Sequence, residues 1–147
     1  MIAHANNTRK RLVHTAVDLS LHFITTVALA IAFYRLTGGW SWPVMAVMGG
    51  ILIDLDHFFD YFLYFGPELS PMKFLTHRHL DSGKIYVLFH SWELIILVWL
   101  ASAALPVLTA LASGMTVHLL IDTLLRHRKN LLFYSIAHRA RHRFSSQ

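Results

Sequence analysis

The stretch that decides the fold is ILIDLDHFFDYF, residues 51–62, where an apolar run carries three aspartates and one histidine. Without these polar residues the run would be part of an ordinary membrane-spanning helix, because a bilayer core requires about 20 mainly apolar residues. A carboxylate at membrane depth is costly, so it normally has a partner and a functional role. The polar residues that need an explanation here are Asp54, Asp56, His57 and Asp60.

The composition of the whole chain predicts an all-α, polytopic membrane protein. Of its 147 residues, 55% are hydrophobic and only 14% are charged, whereas about a quarter of the residues in a soluble domain are charged. The chain is long enough for one domain, residues 1–147. Its apolar segments predict a bundle of four membrane-spanning helices near residues 15–36, 42–65, 84–105 and 106–125.

The basic residues predict the orientation of these helices. Twelve of the thirteen lysine and arginine residues precede the first span, lie in or beside the loop at residues 66–83, or belong to the tail at residues 126–147. Four spans place all of these on one side of the membrane, and Arg35 alone on the other. This pattern predicts a bacterial inner-membrane protein with both termini in the cytoplasm. The tail is expected to form a short basic helix at the membrane interface that contacts anionic lipid, without a specific nucleic-acid site.

Histidines and carboxylates recur on all four predicted spans. The members of this set are His14, Asp18 and His22 on the first span, Asp54, Asp56, His57 and Asp60 on the second, His90 and Glu93 on the third, and His118 and Asp122 on the fourth. Residues three or four positions apart share one face of a helix. Alternating spans also place every one of these groups at the cytoplasmic end. The sequence therefore predicts one polar layer within the bundle.

A layer of imidazoles and carboxylates is suited to zinc, manganese or iron, and metal sites of helix bundles are built from inward-facing side chains. Hydrogen bonds that only join helices are the alternative interpretation. The absence of cysteine excludes disulfides, thiolate zinc sites and cysteine nucleophiles. The sequence also lacks a phosphate-binding glycine loop, a G-x-S-x-G elbow and an H-E-x-x-H motif.

Four segments of the chain resemble the YdjM-like family of membrane-bound, predicted metal-dependent hydrolases. They are GGILIDLDHFFDY (49–61), HRHLDSG (77–83), FHSWEL (89–94) and SGMTVHLLIDTL (113–124). Position by position, the residues that match the family motifs are Asp54, Asp56 and His57, then His90 and Ser91, then His118 and Asp122. Ile53 stands where the family has proline. That family is grouped distantly with zinc-dependent phospholipases C and single-strand nucleases, so the resemblance implies phosphodiester hydrolysis with clustered zinc ions.

The resemblance and the polar layer together predict a metal-dependent hydrolase that cleaves a lipid-like phosphoester at the cytoplasmic membrane face. One or two divalent ions, most plausibly zinc, are expected on His22, Asp54, Asp56, His57, His90, His118 and Asp122. The candidate catalytic residues are Glu93, Asp60 and Arg78. Glu93 is expected to act as the general base. Asp60 is expected either to act in the reaction or to orient a metal ligand. Arg78, together with Lys84, is expected to neutralise the charge of a phosphate group. His14 and Asp18 are expected to orient the metal ligands without binding the ion themselves.

Three other classes of protein remain as alternatives. A di-iron membrane oxygenase also has four spans with cytoplasmic histidines, but it uses denser histidine clusters. A metal or proton transporter would use intramembrane acids just as naturally. A b-type haem protein needs mainly paired histidines and not six intramembrane carboxylates. The metal content of the purified protein distinguishes these classes.

Overall fold

The computed structural model describes residues 2–68, 70–75, 83–126 and 131–145. This part of the chain is helical and contains no β-strand, which confirms the all-α prediction there. The helices are α1 (Ile2–Thr37), α2 (Ser41–Ile51), α3 (Asp56–Phe65), α4 (Pro71–Leu75), α5 (Trp92–Ala101), α6 (Leu108–Arg126) and α7 (Ile136–Arg141). Two 3₁₀ turns, Leu52–Leu55 and Leu131–Tyr134, precede α3 and α7.

Three helical segments are long and apolar enough to cross a membrane, namely Arg9–Thr37, Ser41–Phe65 and Leu108–Leu125. They correspond to the first, second and fourth predicted spans and are consistent with an integral membrane protein. Large apolar side chains remain exposed along these segments; Ile24, for example, is 61% exposed and Leu63 58%. An apolar surface of this extent is expected of a chain surrounded by lipid.

The third predicted span, residues 84–105, is not confirmed as one helix. Only α5 is helical there, and its ten residues extend about 15 Å, half of a hydrocarbon core of about 30 Å. Before α5 the chain is irregular, because the carboxylates of Asp56 and Asp60 accept backbone N–H groups from residues 86–90. Such bonds compete with helix formation. The helix begins only after Ser91, whose side chain accepts the N–H of Leu94 and caps α5.

Glycines allow α2 to pack closely against α6 and α1. A Cβ atom on Gly49 would collide with the backbone of α6, and one on Gly114 would collide with the carbonyl oxygen of Ala46. A Cβ on Gly50 would meet the side chain of Thr26 on α1. Small residues let membrane helices approach to backbone contact. Gly49, Gly50 and Gly114 therefore allow this close approach of the helices.

The directions of the helices bring the polar segments together. His90, just before α5, contacts His118 in the second half of α6, and Trp99 of α5 donates a hydrogen bond to Thr116 of α6. These contacts place α5 against α6. The last residues of α2 lie beside the same part of α6, since the carbonyl oxygen of Gly50 contacts His118. The junction of α2 and α3, the start of α5 and the end of α6 therefore meet in one layer.

Candidate metal centre

The structure brings the seven predicted ligands together into three overlapping groups. The potential ligand atoms within each group lie within 4.8 Å of one another, and the groups are His22–His118–Asp122, Asp54–His90–His118 and Asp56–His57–His90. All of these residues except Asp54 are buried. The groups could therefore hold a metal ion, and the assignment of each residue as a ligand stays a prediction.

Four donor atoms lie at the centre of the cluster, and three of them have the spacing of ligands of one tetrahedral ion. The Nε2 atoms of His90 and His118 are 3.2 Å apart, and Asp54 Oδ1 lies 3.4 Å from each of them. Two ligand atoms that are each about 2.0–2.1 Å from a tetrahedral zinc ion stand about 3.3 Å apart. The fourth atom, Asp122 Oδ2, lies 3.6 Å from His90 Nε2 and 3.8 Å from His118 Nε2, and it belongs to a different group from Asp54. The three atoms of Asp54, His90 and His118 are thus already close to the positions that one ion requires.

The other ring nitrogens of these histidines fix their tautomers. His90 Nδ1 is 2.9 Å from Asp56 Oδ1, and His118 Nδ1 is 2.9 Å from the carbonyl oxygen of Gly50. His22 Nδ1 is 2.8 Å from the carbonyl oxygen of Asp18. Because these partners are acceptors, we assign the proton to Nδ1 in His90 and His118, which leaves a lone pair on Nε2. In His22 the Nε2 atom also faces an acceptor, the carbonyl oxygen of His118 at 3.3 Å. Support of this kind from a second acceptor is usual for metal-binding histidines.

The electrostatics of the cluster favour a positive charge at its centre. Burial lowers the pKa of His90, but hydrogen bonds to the carboxylates of Asp54 and Asp56 outweigh this effect and raise it. A cation at the centre of the cluster would be stabilised by the same carboxylates. Metal binding at such a site releases protons and depends on pH.

The two carboxylate oxygens of Asp122 face different histidines of the cluster. Its Oδ2 atom faces His90 and His118 and also accepts a hydrogen bond of 3.2 Å from the hydroxyl of Tyr134. Its Oδ1 atom lies 3.5 Å from Nε2 of His22, on the other side of the carboxylate. The rings of His22 and His118 are 4.0 Å apart between centroids. Asp122 and His118 could therefore hold an ion together with His22.

The cluster is open at Asp54. The side chain of Asp54 is 39% exposed, whereas the side chains of His90, His118 and Asp122 are at most 4% exposed. His57 lies beside this opening, with its Nε2 atom 3.8 Å from Asp54 Oδ1. The group of Asp54, His90 and His118 has three donors, and catalytic zinc sites likewise use three protein ligands and keep the fourth position for water or substrate.

Carboxylates of the second span hold the segment that carries His90. Asp60 accepts the backbone N–H groups of residues 86–87 at 3.0–3.3 Å. Asp56 accepts those of residues 89–90 at 2.7–3.2 Å, in addition to its contact with the His90 ring. Asp56 thus orients His90, and Asp60, a predicted catalytic residue, contacts the backbone of this segment.

Arg139 of α7 holds the same segment from the opposite side. Its Nη1 atom donates to the carbonyl oxygens of Tyr86 and Val87 at 2.9 and 3.0 Å, and its Nη2 atom donates to that of His90 at 2.9 Å. Arg139 is only 2% exposed. The interpretation of the basic tail as a lipid anchor is therefore wrong for this residue, because its guanidinium is used inside the protein.

Arg139, Tyr134 and the carbonyl oxygen of Gly50 are parts of the site that sequence reasoning missed. Arg139 lies in a cluster of basic residues, where nothing distinguishes it from exposed neighbours such as Arg141. The only sequence signal is the apolar stretch before it, residues 131–137, which is too short to cross a membrane. A backbone carbonyl has no sequence signal at all, since every residue has one.

Glu93 contacts the start of α7. Its carboxylate accepts hydrogen bonds from the Ser135 hydroxyl at 2.5 Å and from the N–H groups of Ile136 and Ala137 at 3.0 and 3.2 Å. Burial raises the pKa of Glu93, but these hydrogen bonds, that from Ser135 foremost, outweigh it and lower the pKa from 4.5 to about 2. Such a carboxylate is a weak base at neutral pH. These contacts favour an anchoring role over the predicted role of general base.

Replacing Glu93 with glutamine is expected to destabilise the protein at neutral pH, because an amide cannot accept all three hydrogen bonds as a charged group does. The stabilisation by the carboxylate is fully present above about pH 4.5 and is lost as the pH falls towards about 2. The difference in melting temperature between wild type and E93Q in detergent should therefore shrink over this range. A difference that is already zero at pH 7 would exclude the anchoring role, and E68Q, at an exposed carboxylate, is the control.

The remaining predicted residues lie at the edge of the site or beyond it. Asp18 reaches the cluster through His22, since its carbonyl oxygen accepts the His22 Nδ1–H and its Oδ1 atom is 3.8 Å from the same nitrogen. His14 is exposed on the outer face of α1. Lys84 is exposed beside Tyr86. Arg78 lies outside the described residues, as do the neighbouring histidines at positions 77 and 79.

Comparisons with protein-family models, with characterised proteins and with solved structures find no match to this chain. The resemblance to the YdjM-like family therefore stays a prediction based on short segments. The structure itself shows a buried set of imidazole and carboxylate donors inside a helical, apolar bundle.

Proposed function

We propose that this protein is a membrane-bound, metal-dependent hydrolase that cleaves a phosphoester of a lipid-like substrate at the cytoplasmic face of a bacterial inner membrane. The observation that carries the proposal is the three-donor group of Asp54, His90 and His118, which is accessible at Asp54. A structural zinc site is closed by four protein ligands, whereas three protein ligands leave a position for water or substrate. The resemblance to the YdjM-like hydrolases supports the same class of reaction.

The ion is zinc in this proposal. Nε2 of His90, Nε2 of His118 and Oδ1 of Asp54 would hold it and leave one position for water or substrate, and His22 with Asp122 would hold a second ion if two are bound. Mixed imidazole and carboxylate ligands also suit manganese and iron, but donors at tetrahedral spacing favour zinc. A divalent ion in this position would lower the pKa of water towards neutrality and polarise a phosphoryl oxygen.

The residues around the donors have defined roles in this reaction. Asp56 and the carbonyl oxygen of Gly50 hold the two central imidazoles with Nε2 directed into the site. His57 lies beside the open position at Asp54 and takes up or delivers the proton. The burial of the remaining donors excludes water from the rest of the cluster and strengthens its electrostatic interactions.

The proposed orientation places the site and both termini on the cytoplasmic side. It rests on the twelve of thirteen basic residues that flank the site end of the spans. The helix directions support it, since α1 begins and α6 ends on the side of the bundle where the cluster lies. Arg35, the remaining basic residue, lies at the opposite end of α1.

The proposal is tested with protein purified in detergent. Elemental analysis should find one or two zinc ions per chain, and the zinc-loaded protein should hydrolyse bis(4-nitrophenyl) phosphate or dioleoyl phosphatidic acid. Removal of zinc with a chelator should abolish hydrolysis, and re-addition should restore it. D54N should lose both zinc and activity, whereas E68Q, at the exposed carboxylate paired with Lys73, should retain both.

Other outcomes would favour the alternative classes. Stoichiometric iron would favour an oxygenase, and haem absorbance would favour a cytochrome. A zinc-loaded protein that hydrolyses neither ester but carries Zn²⁺ into proteoliposomes would be a transporter. Each of these results would overturn the proposed hydrolase.

A further inference from the structure

A groove of about 560 Å³ lies between α1 and the end of α6, on the side of the bundle that carries the cluster. Its residues are Arg9, Lys10, Val13, His14, Val17, Asp18 and Leu125. Both α1 and α6 belong to segments that can cross a membrane. The groove therefore faces lipid and not the interior of the bundle.

The groove leads to the candidate metal centre. Asp18, at its inner end, is 3% exposed and contacts His22. His22 in turn lies 3.5 Å from Asp122, one of the four central donors. A molecule in the groove would thus be separated from the cluster by a single layer of side chains.

The two ends of the groove differ in chemistry. Its wall consists of the aliphatic side chains of Val13, Val17 and Leu125, which are 58%, 55% and 40% exposed. Its outer end has two exposed cations, Arg9 and Lys10, on the first turns of the segment that can cross the membrane. Aliphatic walls fit acyl chains, whereas arginine and lysine at a membrane surface attract anionic head groups.

From this arrangement we infer that the groove binds one anionic phospholipid, with its phosphate at Arg9 and Lys10 and an acyl chain along Val13, Val17 and Leu125. The groove is then the route by which a lipid substrate reaches the cluster from the membrane, and this part of the inference rests on the proposed function. Acyl chain and phosphate are recognised together, so a free phosphate ion is not a ligand of this site.

Lipid retention measured by native mass spectrometry tests the inference without requiring turnover. Protein in detergent is incubated with dioleoyl phosphatidic acid or with dioleoyl phosphatidylcholine, and we expect about tenfold stronger retention of the anionic lipid. The double variant R9Q/K10Q should lose this preference, whereas R35Q, at the other end of α1, should keep it. V17W should reduce retention of both lipids, whereas L19W, on a residue outside the groove that is 48% exposed, should not.

Melting temperatures of the variants show whether each is folded, and the R9Q/K10Q pair, at exposed residues, decides the question if V17W does not fold. Equal retention of the two lipids by the wild type, unchanged retention by R9Q/K10Q, or displacement of phosphatidic acid by millimolar inorganic phosphate would each overturn the inference. If phosphatidic acid is retained but not hydrolysed, the groove remains assigned as a lipid-binding site and the proposed hydrolase activity is rejected. Hydrolysis that is unaffected in R9Q/K10Q would keep the hydrolase and reject the groove as the route of entry.

Discussion

Replacing His118 with alanine is expected to lower the affinity of the protein for Zn²⁺ by about 100-fold or more. Loss of an outer partner of a metal ligand already costs about 10–100-fold, and His118 belongs to two of the three groups that could hold an ion. Its ring also contacts Nε2 of His90 and the carbonyl oxygen of Gly50. Competition with a zinc chelator of known affinity measures the change.

The matched control is H142A, because His142 is an exposed histidine at the end of α7 and should not affect zinc affinity. D54N provides a second test, since Asp54 is the most exposed of the central donors and its replacement disturbs folding least. Wild-type zinc affinity in both H118A and D54N would show that the three-donor group is not the metal site. Loss of zinc in H118A but not in D54N would indicate that the ion is bound by the group of His22, His118 and Asp122.

Replacing Arg139 with alanine is expected to destabilise the protein by about 3–5 kcal/mol, because it leaves buried groups without their partner. Three backbone carbonyl oxygens lose their donor. Asp56, Asp60 and Glu93 lose the positive charge that lies among them. Since the freed segment carries His90, zinc affinity should fall as well, although Arg139 is not a ligand. Thermal unfolding in detergent with and without zinc measures both effects.

Two further variants test whether the effect depends on the location of Arg139 and on the shape of its guanidinium group, and not only on its charge. R141A removes a basic residue from the exposed surface of the same helix and should leave stability and zinc affinity unchanged. R139K keeps the charge but lacks the planar fork of donors, so its stability should lie between those of the wild type and R139A. Equal stability of R139A and R141A would show that the tail does not hold the segment before α5.

The seven clustered residues could be predicted from sequence because helix geometry converts spacing into position. His118 and Asp122 are four residues apart and therefore share a face of α6. The distribution of lysine and arginine gives the direction of each span, and so the end at which each polar group lies. All four spans were predicted from length and composition, and three of them correspond to helices of the described residues that are long and apolar enough to cross a membrane. These inferences need no knowledge of which helix touches which.

The predictions that differ from the structure involve residues whose contacts come from distant parts of the chain. Residues 84–91 are apolar enough to extend the α5 span, yet Asp56 and Asp60 bind their backbone and prevent a helix. Glu93 lies one turn from His90 in sequence, but its hydrogen bonds go to α7. In both cases the partner lies more than 25 residues away in the chain.

The sequence by itself determined that the chain forms helices, that its long apolar segments can cross a membrane, and that histidines and aspartates share one layer. Residue type and periodicity carry that information, because they set burial in lipid and the face of a helix. Only the tertiary structure decided which nitrogen of each histidine faces the centre, that Asp54 is the exposed donor, and that Arg139 is buried. These features depend on backbone carbonyl and N–H groups that are the same in every residue, so only the packing of α2, α6 and α7 determines where they lie.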